Sequence, residues 1–195
     1  MPILRPEVAL SPPNLFELSS PERPWRVAHV RSRQEKGLAR HLLSHGVAFY
    51  LPLHEKRMRR AGRTFVSQLP LFPGYVFFRA TLGERRTALD SDLVAALLEV
   101  PDQERLEGEL ESLWRLQESG LPLVPHPYLG PGDEVVVVHG PLRGWTGTVL
   151  RAKGSVKLVV SVSFLRQSVA AEFEREALAP VPARPRAGRA LAAAR

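Results

Sequence analysis

GYVFFRA, residues 74–80, is the stretch from which the architecture is read. Tyr75, Val76, Phe77 and Phe78 make a dense aromatic and β-branched run, which suits a pleated, partly buried strand. Upstream, WRVAHVR (residues 25–31) alternates apolar and polar positions as a half-buried strand does. Residues 34–45 then place Leu38, Ala39, Leu42 and Leu43 on one helical face, with Gly46 as the stop. VAFYLPL (residues 47–53) is a second strand that ends near Pro52, and residues 53–69 form a basic hairpin turning at Arg60-Ala61-Gly62-Arg63. Past residue 80, a short helix over residues 84–89 and a strand over residues 94–100 follow. Asp102 is placed to cap an amphipathic helix marked by Leu106, Leu110, Leu113 and Trp114 and ending at Gly120. The order predicts an α+β sandwich, with helices packed on a mostly antiparallel sheet.

Proline divides the rest. Residues 1–23 hold five prolines and no periodicity, and read as a flexible lead-in to a domain over residues 24–119. GLPLVPHPYLGP (residues 120–131) has the composition of a semi-rigid linker. Beyond it, residues 132–180 carry EVVVV, WTGTVLR, VKLVVSV and SVAAEF, short strands with turns at Gly140-Pro141 and Lys153-Gly154. Such spacing predicts a small all-β barrel, whose closure leaves no open sheet edge. Residues 181–195 are Pro, Ala and Arg, and read as a disordered basic tail.

The chain of 195 residues carries a formal net charge of +7, unevenly placed. Residues 23–86 hold 14 basic and 3 acidic residues, a balance of +11; residues 90–118 hold 2 and 9, a balance of −7. Residues 121–180 balance at +1. Arg33, Lys36 and Arg40 recur at helical spacing beside Arg31 and His41, while Lys56, Arg57, Arg59, Arg60 and Arg63 crowd the hairpin. Cations gathered on one helix and one ribbon suit phosphates. A solvated surface in an arginine-rich chain is the plainer reading of the same pattern, with 23 Arg against 4 Lys.

Catalytic signatures are missing. With no cysteine there is no disulfide scaffold, thiol nucleophile or Cys-ligated zinc. His41 and His45 stand four apart in HLLSH, without a zincin glutamate or a third ligand, so no metal is expected. GPLRGWTG lacks the G-K-[ST] of a phosphate loop, and no G-x-S-x-G elbow occurs. The carboxylates of residues 104–111 read as a solvated face. No enzyme and no cofactor is expected. No apolar run reaches the ~20 residues of a membrane span, so a cytoplasmic protein is expected. The aromatics Phe49, Tyr50, Phe72, Tyr75, Phe77 and Phe78 exceed what one sheet face needs. Each alone reads best as core, and together they leave room for an apolar depression that takes a partner.

Three stretches together resemble the NusG family of transcription elongation factors. They are the W-x-V strand at residues 25–27 with the following helix bearing Glu35 and Lys36, PLFPGYVFF at residues 70–78, and GDEVVVVHGPLRGWTGTV with VSVSFLRQSVAAEF in the manner of a KOW domain. YLPL and PLFPGYVF are closer to the specialised, RfaH-like antitermination paralogues than to housekeeping NusG. The resemblance implies a NusG N-terminal sandwich followed by a KOW barrel. It also implies docking on the β′ clamp helices of RNA polymerase, with Phe72 and Tyr75 matching and Phe49, Tyr50 and Phe77 adjacent. Arg86 and Thr87 occupy the position that meets the β gate loop, departing from a His-Thr-Thr pattern. Arg31 and His41, with Arg33, Lys36 and Arg40 nearby, fall where specialised members touch the non-template DNA strand. Leu142, Trp145 and Phe164 match the apolar cluster that binds a ribosomal small-subunit protein or Rho. A monomer acting on particular operons is the implied reading; a housekeeping NusG that partners Rho, or a ribosome- or RNA-binding KOW protein, are the alternatives.

Overall fold

The structure, a computed structural model, describes residues 7–18, 21–60, 63–126, 134–137, 146–152, 155–173 and 178–180. The strand of the aromatic run, β6 (Tyr75–Arg79), lies mid-sheet between β3 (Ala48–Tyr50) and β2 (Trp25–Val30). The sheet is completed by β7 (Val94–Leu98) beside β2 and by β1 (Leu10–Ser11) beside β3, and every pairing is antiparallel. Because side chains alternate across a strand, β6 feeds two cores. Val76 and Phe78 join Ala28, Val30 and Phe49 against Leu38 and Leu42 of α1 (Glu35–Ser44) and Ala88 of α2 (Leu82–Asp90). On the opposite face Phe77, with Val27 and Tyr50, meets Leu106, Leu110, Leu113 and Leu116 of α3 (Gln103–Glu118).

Local chemistry sets the helix ends. Gly46 takes φ +67, the left-handed conformation that ends α1 without a Cβ penalty. Thr81 and Glu84 exchange side-chain and backbone hydrogen bonds as a capping box at the start of α2. The carboxylate of Asp102 accepts the N–H of Arg105 at 3.0 Å, which is the cap the sequence predicts for α3. Among the described residues no helix is long and apolar enough to cross a membrane.

The N-terminal segment differs from the expected lead-in. Leu10 and Ser11 pair with Tyr50 and Phe49 at the sheet edge. Leu15 is buried, and the Phe16 ring lies 5.8 Å from Trp25, 5.4 Å from Tyr50 and 5.5 Å from Trp114. Two side chains entering an aromatic groove leave no period in the sequence, so the composition hides them. The linker differs too: β8 (Leu123–His126) pairs with β12 (Gln167–Phe173). Pro125 is tolerated there because β8 is an edge strand, whose outer side needs no N–H donor.

The later strands form one antiparallel sheet of order β13-β9-β10-β11-β12-β8, where β9 is Glu134–Val137, β10 Thr146–Ala152, β11 Ser155–Val162 and β13 Leu178–Pro180. It packs on α3 through Val162, Val169 and Ala171. Polar contacts reinforce the seam. Arg105 donates to the Ser163 hydroxyl at 2.8 Å, and the Ser163 N–H donates to Glu109 at 2.9 Å.

Glu35, 8% exposed, accepts the N–H of Gly74 at 2.7 Å and so ties α1 to the turn before β6. Gly74 takes φ +87 there, with the His29 ring 3.6 Å from where a Cβ would sit. Glu35→Ala leaves that donor without its partner, and should cost about 1–3 kcal/mol in urea unfolding. An unchanged midpoint would mean that water replaces the carboxylate.

Candidate functional site

Geometry divides the aromatic set. Phe49 belongs to the core under α1, whereas Tyr50, Phe72 and Phe77 belong to the core under α3. All four are at most 1% exposed. A single depression therefore does not contain Phe49 together with the others, and these rings pack the interior in this structure. Phe72 and Phe77 meet edge-on at 5.8 Å. Tyr75, also on the α3 face of β6, is partly exposed, its ring 5.2 Å from that of His29. Arg86 is exposed and Thr87 partly so, both on α2.

The Tyr50 hydroxyl donates to Oε1 of Gln117, whose amide donates in turn to the Leu53 carbonyl at 2.7 Å. This bridge binds α3 to the base of the hairpin. Burial, and secondarily the charge of Glu118, push the Tyr50 phenol well above its ordinary value, so it serves as a neutral donor.

The cationic set surrounds the start and outer face of α1. Arg31 and Arg33 are exposed and Lys36 is partly exposed; none of the three has an ion-pair partner among the described residues. Arg33 holds φ +61, a left-handed conformation that costs a non-glycine residue about 1 kcal/mol. The strain bends the chain between β2 and α1, just where the two exposed arginines stand. Arg40 departs from the set, because its guanidinium pairs with Glu7 of the N-terminal segment at 3.0 Å. His41 Nε2 donates to the Thr87 carbonyl at 2.9 Å. That bond joins α1 to α2, and so joins the residue expected to meet DNA to the residue expected to meet the gate loop.

In the second sheet, Leu142 and Trp145 lie outside the described residues. Phe164 is partly buried in the short turn after β11, lining a cleft with Val100, Pro101, Leu106 and Glu109. It thus faces the α3 side of the first unit.

Among the described residues no three His, Cys, Asp or Glu side chains gather as metal ligands. His41 and His45 stack at 4.3 Å, and His45 Nδ1 lies 2.8 Å from the His41 carbonyl, so the pair closes the end of α1. What the arrangement offers is surface: a cationic rim on α1, a partly exposed tyrosine, an exposed Arg86 and a basic ribbon.

Two residues that matter were not singled out from sequence. Arg79 is 5% exposed, on the α3 face of β6. Its guanidinium pairs with Glu107, donates to the Leu18 carbonyl at 2.7 Å, and lies 5.0 Å from the Trp25 ring centre. Gln103 clasps Trp25, accepting its N–H at 2.7 Å and donating to its carbonyl at 3.0 Å. A buried cation in an otherwise apolar strand has a signal in retrospect, since Arg79 shares the alternation of Tyr75 and Phe77 and so must face inward.

Residues 23–104 match the family model described as transcription termination factor NusG. Among solved structures, the chain is similar to one titled "Domain interaction in Thermotoga maritima NusG", with 17% identity over 82% of this chain and 98% of that one, at a TM-score of 0.46. None of the curated proteins matches the chain.

Proposed function

We propose, from the premise that residues 23–104 form a NusG-family domain, that this chain is a transcription elongation and antitermination factor that binds RNA polymerase. The family match carries the reading. Exposure favours some of the candidate residues over others as contacts. Tyr75 and the α2 pair Arg86 and Thr87 are at least partly exposed, whereas Phe49, Tyr50, Phe72 and Phe77 shape the sheet beneath. In this reading Tyr75 reaches the β′ clamp helices, Arg86 and Thr87 reach the β gate loop, and Arg31, Arg33 and Lys36 lie toward the non-template DNA strand. Two docking points on opposite sides of the cleft favour the closed polymerase over the open, paused one. Such a factor acts through differential affinity for two conformations.

Residues 132–180 complete the proposal as a KOW barrel that recruits a ribosomal small-subunit protein or Rho through Leu142, Trp145 and Phe164. The antiparallel strand succession supports a KOW-type β unit, although among the described residues the ladder runs from β13 to β8 without the closure expected of a barrel. Because Phe164 borders Leu106 and Val100, a partner that takes Phe164 competes with α3 for it. Specialisation for particular operons is the preferred form, on the resemblance of YLPL and PLFPGYVF.

The test is polymerase binding by the full chain carrying Tyr75→Ala and Arg86→Ala. Both side chains reach solvent, so folding should persist. Affinity should fall about thirtyfold if Tyr75 is an interface anchor. Retained affinity in the folded variant would overturn the docking assignment. If the unaltered chain binds no polymerase at all, the ribosome- or RNA-binding reading stands instead.

A further inference from the structure

The hairpin of β4 (Leu53–Arg60) and β5 (Arg63–Pro70) is a two-stranded sheet of its own, paired from Leu53↔Pro70 to Arg60↔Arg63 and, among the described residues, with no further strand. Its outer half is exposed on both faces: Lys56, Arg57, Met58, Arg59, Thr64, Phe65 and Val66 all reach solvent. The large apolar members are 46% exposed at Met58, 42% at Phe65 and 51% at Val66. Register sorts them. Met58 stands opposite Phe65 on the face that carries Lys56, whereas Arg57 stands opposite Val66 on the face that carries Arg59. Between Leu53 and Pro70 the sequence has five cations and one carboxylate, Glu55. Lys56, Arg57 and Arg59 have no ion-pair partner among the described residues. His54 adds nothing at neutral pH, because burial and then the Lys56 ammonium hold its imidazole below the ordinary value.

An isolated two-stranded ribbon is marginal by itself, and exposed Phe65 and Met58 bury too little to help it. Their placement between cations suits an occupant with flat apolar faces strung on a polyanion. We propose that this ribbon binds single-stranded nucleic acid, with Phe65 as a stacking platform supported by Met58, and Lys56, Arg57 and Arg59 neutralising phosphates. Stacking is sequence-tolerant because every base has a π-face. A duplex hides those faces within its own stack and would leave Phe65 idle. The chemistry addresses groups that DNA and RNA share, so the sugar is not discriminated. The site is distinct from the α1 cations and does not depend on polymerase binding.

Fluorescence anisotropy on the full chain tests it, with labelled oligothymidylate and oligouridylate of about 15 nucleotides and a duplex of equal length as probes. Both single strands should bind alike and more tightly than the duplex. Phe65→Ala should weaken both about tenfold while leaving the duplex affinity and the salt dependence unchanged, and Phe65→Tyr should restore binding. Arg57→Gln with Arg59→Gln should reduce the log–log salt slope for single strands by about 1.4. Since Phe65 is exposed, an unchanged thermal midpoint confirms folding. Unaltered single-strand affinity in folded Phe65→Ala would overturn the proposal. So would a preference for duplex, or equal binding of polyglutamate, which would reduce the ribbon to a general cationic surface.

Discussion

Phe77→Ala is expected to lower the unfolding free energy by about 3–5 kcal/mol, the range for deleting a fully buried phenyl ring. Phe77 is 0% exposed on the central strand, opposite Val27 on one side and Tyr50 on the other. Its ring meets Phe72 edge-on, and the same core takes in the four buried leucines of α3. The sheet is fixed on both sides by hydrogen-bonded strands and cannot collapse into the vacated volume. The cavity term therefore adds to the lost transfer energy. For a chain of this size the thermal midpoint should drop by about 10 °C. A change below about 1 kcal/mol, typical of surface positions, would contradict the burial. The outcome bears on the proposed function, because a destabilised Phe77 or Phe72 variant would lose the proposed polymerase binding through unfolding alone. Only variants at the exposed positions, Tyr75 and Arg86, separate docking from folding.

The parts legible in the sequence share one property: a repeated local signal. The aromatic strand at residues 74–80, the α1 stripe of Leu38, Ala39 and Leu42, and the Asp102 cap each appear in the structure where their patterns place them. The basic hairpin is legible for the same reason, since the turn residues at 60–63 separate two runs of equal length. The N-terminal segment has no such repeat. Leu15 and Phe16 matter because Trp25, Tyr50 and Trp114, far apart in sequence, form a groove, and that coincidence exists only in three dimensions. Pro125 misled for a different reason. Proline predicts irregular chain unless one knows that the strand is an edge, and edge status is a property of the whole sheet. The aromatic set was half legible: composition revealed an excess of rings, but only the pleat shows Phe49 and Tyr50 pointing to opposite faces.

The second large effect is expected from Leu15→Ala combined with Phe16→Ala. Leu15 is 1% exposed, and such a leucine costs about 2–5 kcal/mol on truncation to alanine. Phe16 adds three aromatic contacts, each worth about 0.5–1.5 kcal/mol beyond area burial. The two residues are neighbours and share partners, so their losses overlap instead of summing. A net loss of about 3–5 kcal/mol follows. Chemical unfolding measures it, and tryptophan emission gives an independent readout. Trp25 and Trp114 both lose the Phe16 ring that covers them, so the native spectrum should shift to the red before any unfolding begins. The effect should propagate to Arg79, whose guanidinium donates to the Leu18 carbonyl while lying over Trp25. If the segment loosens, that buried cation loses an acceptor, and β6 loses the tie that holds its end to residues 16–18. A double variant with wild-type stability and an unshifted spectrum would show that residues 7–18 are the unstructured lead-in their composition suggests. A loss of the expected size would make them a structural part of the domain, a strand and an aromatic plug that close the open edge of the sheet.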